Sequence, residues 1–178
     1  MNGQATPAWA RDFRRMSCRF FALLAAITLA SACASRGTPP RFPGAIRSPR
    51  PSPSEAGARV ADTALRLEGT PYRNGGSDKS GFDCSGLVQY VFAQHGVTLP
   101  RSVRDQFQAG LAVPRQSLVA GDLVFFSTTA PGATHVGIIV RDDWFVHAPS
   151  GRGVVRTERL GADYWSRHYI GARRILIP

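Results

Sequence analysis

The chain has 178 residues, three cysteines and a formal net charge of +10, and 43% of its residues are hydrophobic. Nine arginines but only Asp12 and Glu55 precede Val60, so most of the positive charge lies ahead of the part that can fold as a domain. This distribution gives little support to nucleic-acid binding, because no recognisable nucleic-acid module follows the basic segment. That segment is either solvated or rests on an anionic lipid or polymer.

The first 33 residues have the pattern of an export signal. Arginines precede an apolar stretch of 11 residues, from Phe20 to Ala30, and this stretch is too short for a membrane-spanning helix of about 20 residues. Small residues then lead to Cys33, as in a bacterial lipoprotein signal, where cleavage before the cysteine lets it carry the lipid. The alternative is cleavage after an Ala-Ser-Ala site, which would give a soluble secreted protein. Met16 is an alternative start.

Residues 34–59 are predicted to form a disordered linker. Six prolines alternate there with Gly, Ser and Arg, and apolar periodicity is missing. Such a segment buries too little apolar surface to offset the entropy of ordering it. The remaining residues, 60–178, suit one compact domain.

Within this domain, helices are predicted first and strands afterwards. Residues 60–68, 84–94 and 102–109 carry helical signals of apolar spacing, caps and breakers. Five runs rich in β-branched and aromatic residues follow, at 123–127, 135–140, 144–148, 154–157 and 169–177. This order predicts an α+β fold in which helices pack on an antiparallel sheet of about five to six strands.

Cys84 is the only cysteine of the predicted domain, so it has no partner there for a disulfide or a thiolate metal site. It is therefore either a packed core thiol or a nucleophile. The helix breaker Gly81 and the N-cap residue Asp83 place it in the first turn of a helix. Free backbone amides and the helix dipole favour a thiolate at that position, and we expect a pKa below the usual value of about 8.5.

His135 and His147 are the candidate bases, since they lie on two strands joined by a short turn. If Val140 pairs with Trp144 across a three-residue loop, the two imidazoles lie on one face as diagonal neighbours. A two-residue loop would put them on opposite faces. One half-buried histidine is an ordinary sheet residue, but two on one face, opposite the helix of Cys84, indicate a catalytic set.

Six sequence pieces, taken in order, resemble the NlpC/P60 family of cell-wall cysteine peptidases over residues 60–178. The pieces are Gly69-Thr70-Pro71-Tyr72, Asp83-Cys84-Ser85-Gly86-Leu87-Val88, Leu99-Pro100-Arg101-Ser102, Gly121-Asp122-Leu123-Val124-Phe125-Phe126, Thr134-His135-Val136-Gly137-Ile138 and Phe145-Val146-His147-Ala148. The resemblance implies a papain-like fold and hydrolysis of peptide bonds in peptidoglycan stem peptides, with no metal or organic cofactor.

The resemblance also implies a catalytic role for four residues. Cys84 matches the nucleophile, His135 the base and acid, and His147 the polar residue that orients His135. The Tyr72 hydroxyl matches a donor of the oxyanion hole, together with the backbone amide of Cys84. The implied resting state is an ion pair between the Cys84 thiolate and the His135 imidazolium.

Four further residues are expected to bind substrate. Asp83 and Ser85 match family positions that contact the stem peptide near its amine, although a simple N-cap role for Asp83 is an equal alternative. Arg101 and Ser102 are expected to line the groove.

With the export signal, the resemblance implies a lipid-anchored murein endopeptidase of a Gram-negative envelope. Such an enzyme would cleave D-alanyl-diaminopimelyl or γ-D-glutamyl-diaminopimelyl bonds. Its partners would be peptidoglycan and, through a lipid on Cys33, a membrane. Because Ala34 and not aspartate follows Cys33, we expect the outer membrane, facing the periplasm. The alternatives are a papain-like amidase or acyltransferase on a wall or lipid substrate, and a wall-binding module without activity. The sequence identifies no adaptor protein.

Overall fold

The structure, a computed structural model, describes residues 52–150, 153–175 and 177. The predicted signal, the predicted lipidation site Cys33 and most of the predicted linker lie outside these residues. Within them, no helix combines the length and the apolar character that crossing a membrane requires.

Helix α1 spans Pro53–Leu65 and begins inside the predicted linker. The cause is a capping box, in which Ser52 Oγ accepts a bond from the Glu55 amide at 3.3 Å and the Glu55 carboxylate accepts one from the Ser52 amide at 2.7 Å. A proline at the first helical position needs no hydrogen bond of its own. The helix predicted at residues 60–68 therefore begins seven residues earlier than expected.

The other two predicted helices are present, and one further helix is not anticipated by the sequence. Helix α2 spans Cys84–Ala93 and α3 spans Val103–Gln108. Helix α4 spans Asp163–His168. A 3₁₀ turn lies at Arg115–Ser117.

Eight strands form two sheets, which confirms the predicted α+β class. Strands β1 (Ser77–Asp78) and β2 (Gly81–Phe82) make a two-stranded antiparallel sheet just before α2. The main sheet has six antiparallel strands in the order β3-β8-β4-β5-β6-β7. Its strands are β3 Leu111–Ala112, β4 Leu123–Phe126, β5 His135–Arg141, β6 Trp144–His147, β7 Arg156–Arg159 and β8 Tyr169–Arg174.

The β5–β6 hairpin has the predicted pairing of strands, but a bulge produces it and not a three-residue loop. Arg141 pairs directly with Trp144, so the loop contains two residues, not three. A bulge at Val140 inserts the extra residue and restores the predicted pairing in the body of the hairpin. His135 and His147 consequently share one face of the sheet.

Two hydrophobic clusters bury the two faces of the sheet. Helices α1 and α2 pack against β5 on one face, and the buried residues there include Val60, Leu87, Phe92, Val136 and Ile138. On the other face, the second cluster includes Phe126, Ile139, Phe145, Leu160 and Trp165.

This division separates the nucleophile from the two histidines. Cys84 packs against the first cluster, whereas the rings of His135 and His147 contact aromatic rings of the second. The sequence suggested that the histidines lie on the face of the sheet that α2 covers. They lie on the other face instead. The two parts of the site meet at the beginning of β5.

Candidate active site

Cys84 is the first residue of α2, and its position is set by local hydrogen bonds. Asp83 is the N-cap, and its Oδ1 accepts a bond from the Gly86 amide at 2.7 Å. The Asp83 amide in turn donates to the Gly76 carbonyl at 3.0 Å, which fixes the helix start against the preceding loop. Cys84 is a free cysteine and only partly exposed.

The sulfur of Cys84 carries a proton at neutral pH. Burial raises the pKa of the Cys84 thiol to about 11, and the neighbouring Asp83 carboxylate raises it further. The backbone N–H groups of Ser85, Val136 and Cys84 itself favour the thiolate, but they do not overcome the cost of burial. The predicted low pKa is therefore wrong, because the sequence reveals the helix start but not the burial of the sulfur.

The effect of the Val136 backbone amide on the pKa of Cys84 also locates the sulfur. Val136 directly follows His135 on β5 and belongs to the first hydrophobic cluster, against which Cys84 packs. The sulfur therefore lies near the start of the strand that carries the candidate base.

His135 and His147 form a buried, hydrogen-bonded pair, as the predicted register requires. Nε2 of His135 lies 2.9 Å from Nδ1 of His147, and the rings are nearly perpendicular. Their exposed fractions are 6% and 0%. The Trp165 ring stacks on His135 with a centroid distance of 5.5 Å, which fixes the plane of that imidazole.

Both imidazoles are neutral in this environment. Burial lowers the pKa of His135 to about 3, and the neighbouring His147 lowers it further. Burial also lowers the pKa of His147. Burial thus favours a thiol and a neutral imidazole over the implied thiolate–imidazolium pair.

Glu158 lies behind His147 and is a candidate functional residue that the sequence did not reveal. Its Oε1 lies 3.4 Å from Nε2 of His147, which has no hydrogen-bond partner among the described residues. That separation is an ionic contact, longer than a hydrogen bond. Trp165 Nε1 donates to the other carboxylate oxygen, and Arg156 lies 2.6 Å from Oε1. The nearby His147 ring lowers the pKa of Glu158 to about 2. Hydrogen bonds from Trp165 and Arg156 lower it as well, whereas burial opposes the shift.

A signal for Glu158 exists in the sequence. The predicted strand ends at Thr157, but β7 continues to Arg159 and places Glu158 opposite Phe145. Phe145 shares a face with His147, because residues two apart on a strand point the same way. Extending the predicted strand by one residue would have placed this carboxylate beside His147.

Tyr72 lies close enough to Cys84 to interact electrostatically with it. Burial raises the pKa of Tyr72, and the proximity of Cys84 and Asp83 adds to this effect. The Cys84 amide has no hydrogen-bond acceptor in the part of the chain that the structure describes, since Asp83 caps Gly86. Two donors are therefore near the sulfur, and their role in an oxyanion hole remains a prediction.

Three of the four predicted substrate-binding residues form one cluster beside Cys84. Arg101 makes an ion pair with Asp83 at 2.5 Å, and its other terminal nitrogen lies 2.7 Å from Ser85 Oγ. Burial opposes ionisation of Asp83, but hydrogen bonds from Arg101 and Gly86 outweigh it and lower the pKa of Asp83. Asp83 is therefore both the N-cap and a member of the polar cluster.

Ser102 has a different position. Its hydroxyl caps α3, accepting a bond from the Asp105 amide at 3.1 Å and donating to the Asp105 carboxylate at 2.7 Å. The two hydrogen bonds of the Ser102 side chain among the described residues thus both go to Asp105, and its expected place in the groove stays a prediction.

An open cavity of about 380 Å³ lies beside the histidine pair. Its lining includes Thr128, His135, Arg156, Glu158, Tyr164 and Trp165. The base thus has room beside it for part of a substrate. Among the described residues, no group of three or more His, Cys, Asp or Glu side chains could hold a metal ion.

Comparison with known proteins gives one consistent family. The sequence model described as NlpC/P60 family matches residues 69–174. A solved structure from Staphylococcus aureus, titled as similar to lipoprotein of the NLP/P60 family, superposes with a TM-score of 0.62 at 37% identity and covers 73% of this chain and 45% of its own.

Two curated relatives are each 42% identical over 120 residues. One is the Gamma-DL-glutamyl hydrolase of Bacillus subtilis (strain 168), where the match covers 65% of this chain and 29% of the relative. The other is the Murein DD-endopeptidase MepS/Murein LD-carboxypeptidase of Escherichia coli (strain K12), where it covers 67% of this chain and 63% of the relative. The chain thus spans less than two thirds of either relative.

Proposed function

The chain belongs to the NlpC/P60 family, and on this premise we propose that it is a cysteine peptidase that hydrolyses peptide bonds in peptidoglycan stem peptides. The observation that carries the proposal is the junction at the start of β5. There a thiol on a helix N-terminus lies beside a strand that presents a buried, hydrogen-bonded histidine pair. The names of the relatives supply the substrate class.

The proposed reaction proceeds through an acyl-enzyme. As Cys84 Sγ attacks the scissile carbonyl carbon, its proton passes to His135 and a carbon–sulfur bond forms. His135 then gives that proton to the leaving amine as the carbon–nitrogen bond breaks. Water next attacks the thioester, with His135 as the base, and releases the free acid and the thiol.

The neutral resting pair makes His135 a general base in the first step. Because burial disfavours both the thiolate and the imidazolium, charge develops only as the sulfur attacks. The negative charge on the substrate oxygen would then be met by the Cys84 amide and the Tyr72 hydroxyl. One such donor is worth about 10²- to 10³-fold in rate in other enzymes.

The polar cluster of Asp83, Ser85 and Arg101 is proposed to bind the stem peptide on the acyl side of the scissile bond. Asp83 is the anion of the cluster and suits a free amine, but Arg101 already occupies both of its oxygens. An incoming amine would therefore share Asp83 with Arg101 or displace it. The cavity beside His135 would accommodate the leaving part, because the leaving amine must reach the base.

Two stem bonds are candidates for cleavage. The relatives' names include a DD-endopeptidase, an LD-carboxypeptidase and a γ-DL-glutamyl hydrolase. D-alanyl-diaminopimelyl and γ-D-glutamyl-diaminopimelyl bonds are thus both proposed substrates.

Digestion of purified muropeptides of defined structure, followed by mass analysis of the fragments, tests the reaction and the bond together. A peptidase adds one water to each cleaved bond. An amidase or acyltransferase would instead transfer the acyl group when an amine acceptor is supplied, and a wall-binding module would leave every muropeptide intact. Either of these last two results would contradict the proposal.

We further propose that the protein is exported and held at the outer membrane, facing the periplasm, by a lipid on Cys33. The basis is the sequence of residues 1–34, with its short apolar stretch and small residues before Cys33. Cys33→Ser should move the protein from the membrane fraction to the soluble fraction. Unchanged fractionation would remove the anchor.

A further inference from the structure

Glu158 and the two histidines form a line of groups that ends at the base. The Glu158 carboxylate faces Nε2 of His147, and Nδ1 of His147 faces Nε2 of His135. Nε2 of His147 is buried, and so is the bond between the two rings, so water competes little for these ring nitrogens although a cavity lies beside His135. The protein groups alone therefore decide which nitrogen of each ring carries the proton.

An ionised carboxylate can only accept hydrogen bonds. The ring nitrogen that faces Glu158 is therefore best satisfied when it carries the proton, which leaves Nδ1 of His147 with a lone pair. This lone pair requires a proton on Nε2 of His135 to complete the bond at 2.9 Å. Nδ1 of His135 is then the only basic nitrogen of that ring.

Glu158 is itself held in place by other elements. The indole N–H of Trp165, on α4, donates to Oε2, while Arg156, on the same strand as Glu158, binds Oε1. Trp165 also stacks on His135, so one side chain positions both ends of the line. These contacts keep the carboxylate ionised and directed at His147.

A neutral imidazole orients its neighbour but supplies no negative charge. When His135 accepts a proton, the nearest anion that can stabilise the resulting cation through the line is Glu158, and its field favours protonated His135. Glu158 thus places a carboxylate behind His147, which would otherwise be the last member of the proposed catalytic set.

We propose that Glu158 is a positioning residue, which fixes the tautomers of His147 and His135 and supplies the charge that stabilises protonated His135. Its effect on rate rests on the proposed peptidase function. The predicted tautomers do not depend on that function, because they can be measured without any reaction.

The test is ¹⁵N NMR of the imidazole nitrogens in the full chain, beside steady-state kinetics on muropeptides. In the wild-type protein both rings should carry their proton on Nε2. Glu158→Leu should redistribute the His147 and His135 protons and lower kcat by about 10- to 100-fold, with a much smaller change in KM. Glu158→Gln keeps an acceptor oxygen without the charge, so it should retain the tautomers and still lower kcat.

The matched control is Glu68→Gln. Glu68 accepts a hydrogen bond from Thr157 of the same strand but does not touch the rings, so tautomers and kcat should be unchanged. A proton on Nδ1 of His135 in the wild-type protein would overturn the inference. So would a Glu158→Leu variant with wild-type tautomers and kcat. If Glu158→Leu does not fold, the wild-type and Glu158→Gln spectra decide, and a protein with these tautomers but no peptidase activity would refute the proposed function alone.

Discussion

Burial sets the protonation state of Cys84 and His135. It disfavours thiolate and imidazolium alike, and the amides at the start of α2 recover only part of that cost for the sulfur. Burial therefore favours the uncharged pair, and in the proposed mechanism the proton moves only as the sulfur attacks the substrate carbonyl. In this state the thiol is less reactive than in an ion pair, since in the proposed mechanism it becomes nucleophilic only when substrate is bound.

The alkylation rate of Cys84 reports this state directly. Because the pKa of the thiol is raised to about 11, the thiolate fraction should rise about tenfold for each pH unit between pH 7 and pH 10. The second-order rate constant with iodoacetamide should rise in parallel. Asp83→Asn keeps a capping side chain but removes a charge that raises the pKa of Cys84. It should therefore react faster than the wild-type protein at each pH.

A rate constant that is already maximal at pH 6–7 and constant up to pH 9 would mean a thiolate–imidazolium pair. In that case the neutral resting state would be wrong, and His135 would act first as a counter-ion.

At the scale of elements, the start of α2 depends on a close approach between Gly86 and the loop before it. A Cβ at Gly86 would overlap the carbonyl oxygen of Gly76 and approach Asp83 Oδ1. The absence of a side chain therefore lets the first helical turn rest on the loop, which orients Cys84.

Gly86→Ala should consequently destabilise the fold and displace the nucleophile. Overpacking of this kind costs about 1–3 kcal/mol, measurable by chemical denaturation. Gly161→Ala is the matched control, because its Cβ would meet only the end of the Asp143 side chain, and we expect it to stay within about 0.5 kcal/mol. Equal stability and activity of the two variants would show that the close approach at Gly86 is unimportant.

Elements with local signals could be predicted, and those that depend on distant contacts could not. The start of α2 follows from Asp83, and the face shared by His135 and His147 follows from strand periodicity. The early start of α1 was missed because Pro53 was assigned to a proline-rich linker, although Ser52 and Glu55 form a capping box. The bulge that restores the hairpin register has no evident local signal.

At the scale of the molecule, the sheet order depends on pairings that join distant parts of the chain. Strand β8 lies between β3 and β4, and no local pattern predicts this arrangement. The same is true of the burial that determines the pKa values of the site, because it arises only when α2, α4 and the sheet pack together. Sequence periodicity and resemblance thus predicted the fold class and the candidate catalytic residues, while protonation states required the assembled fold.

The buried histidines should make the protein less stable in acid. The pKa of His135 is lowered from 6.5 to about 3, and that of His147 is also lowered. Below pH 6.5 the unfolded chain therefore binds protons at these positions that the folded protein does not, and the free energy of unfolding falls as the pH falls. The loss from His135 alone is at most about 5 kcal/mol.

Denaturant unfolding between pH 7 and pH 4 measures this dependence. His135→Gln removes one of the two groups and should flatten the curve relative to the wild-type protein. An unchanged slope in the variant would show that His135 is already protonated, or does not titrate, in the folded state.

Cys84 is proposed to be the nucleophile of a peptidoglycan peptidase. The most direct measurement compares the wild-type protein with Cys84→Ala on purified peptidoglycan, following new amino groups and the release of stem fragments. The wild-type protein should release both, and Cys84→Ala should reduce the rate by about 10⁴-fold or more while keeping the fold. Release by Cys84→Ala at the wild-type rate, or no release by the wild-type protein, would contradict the account.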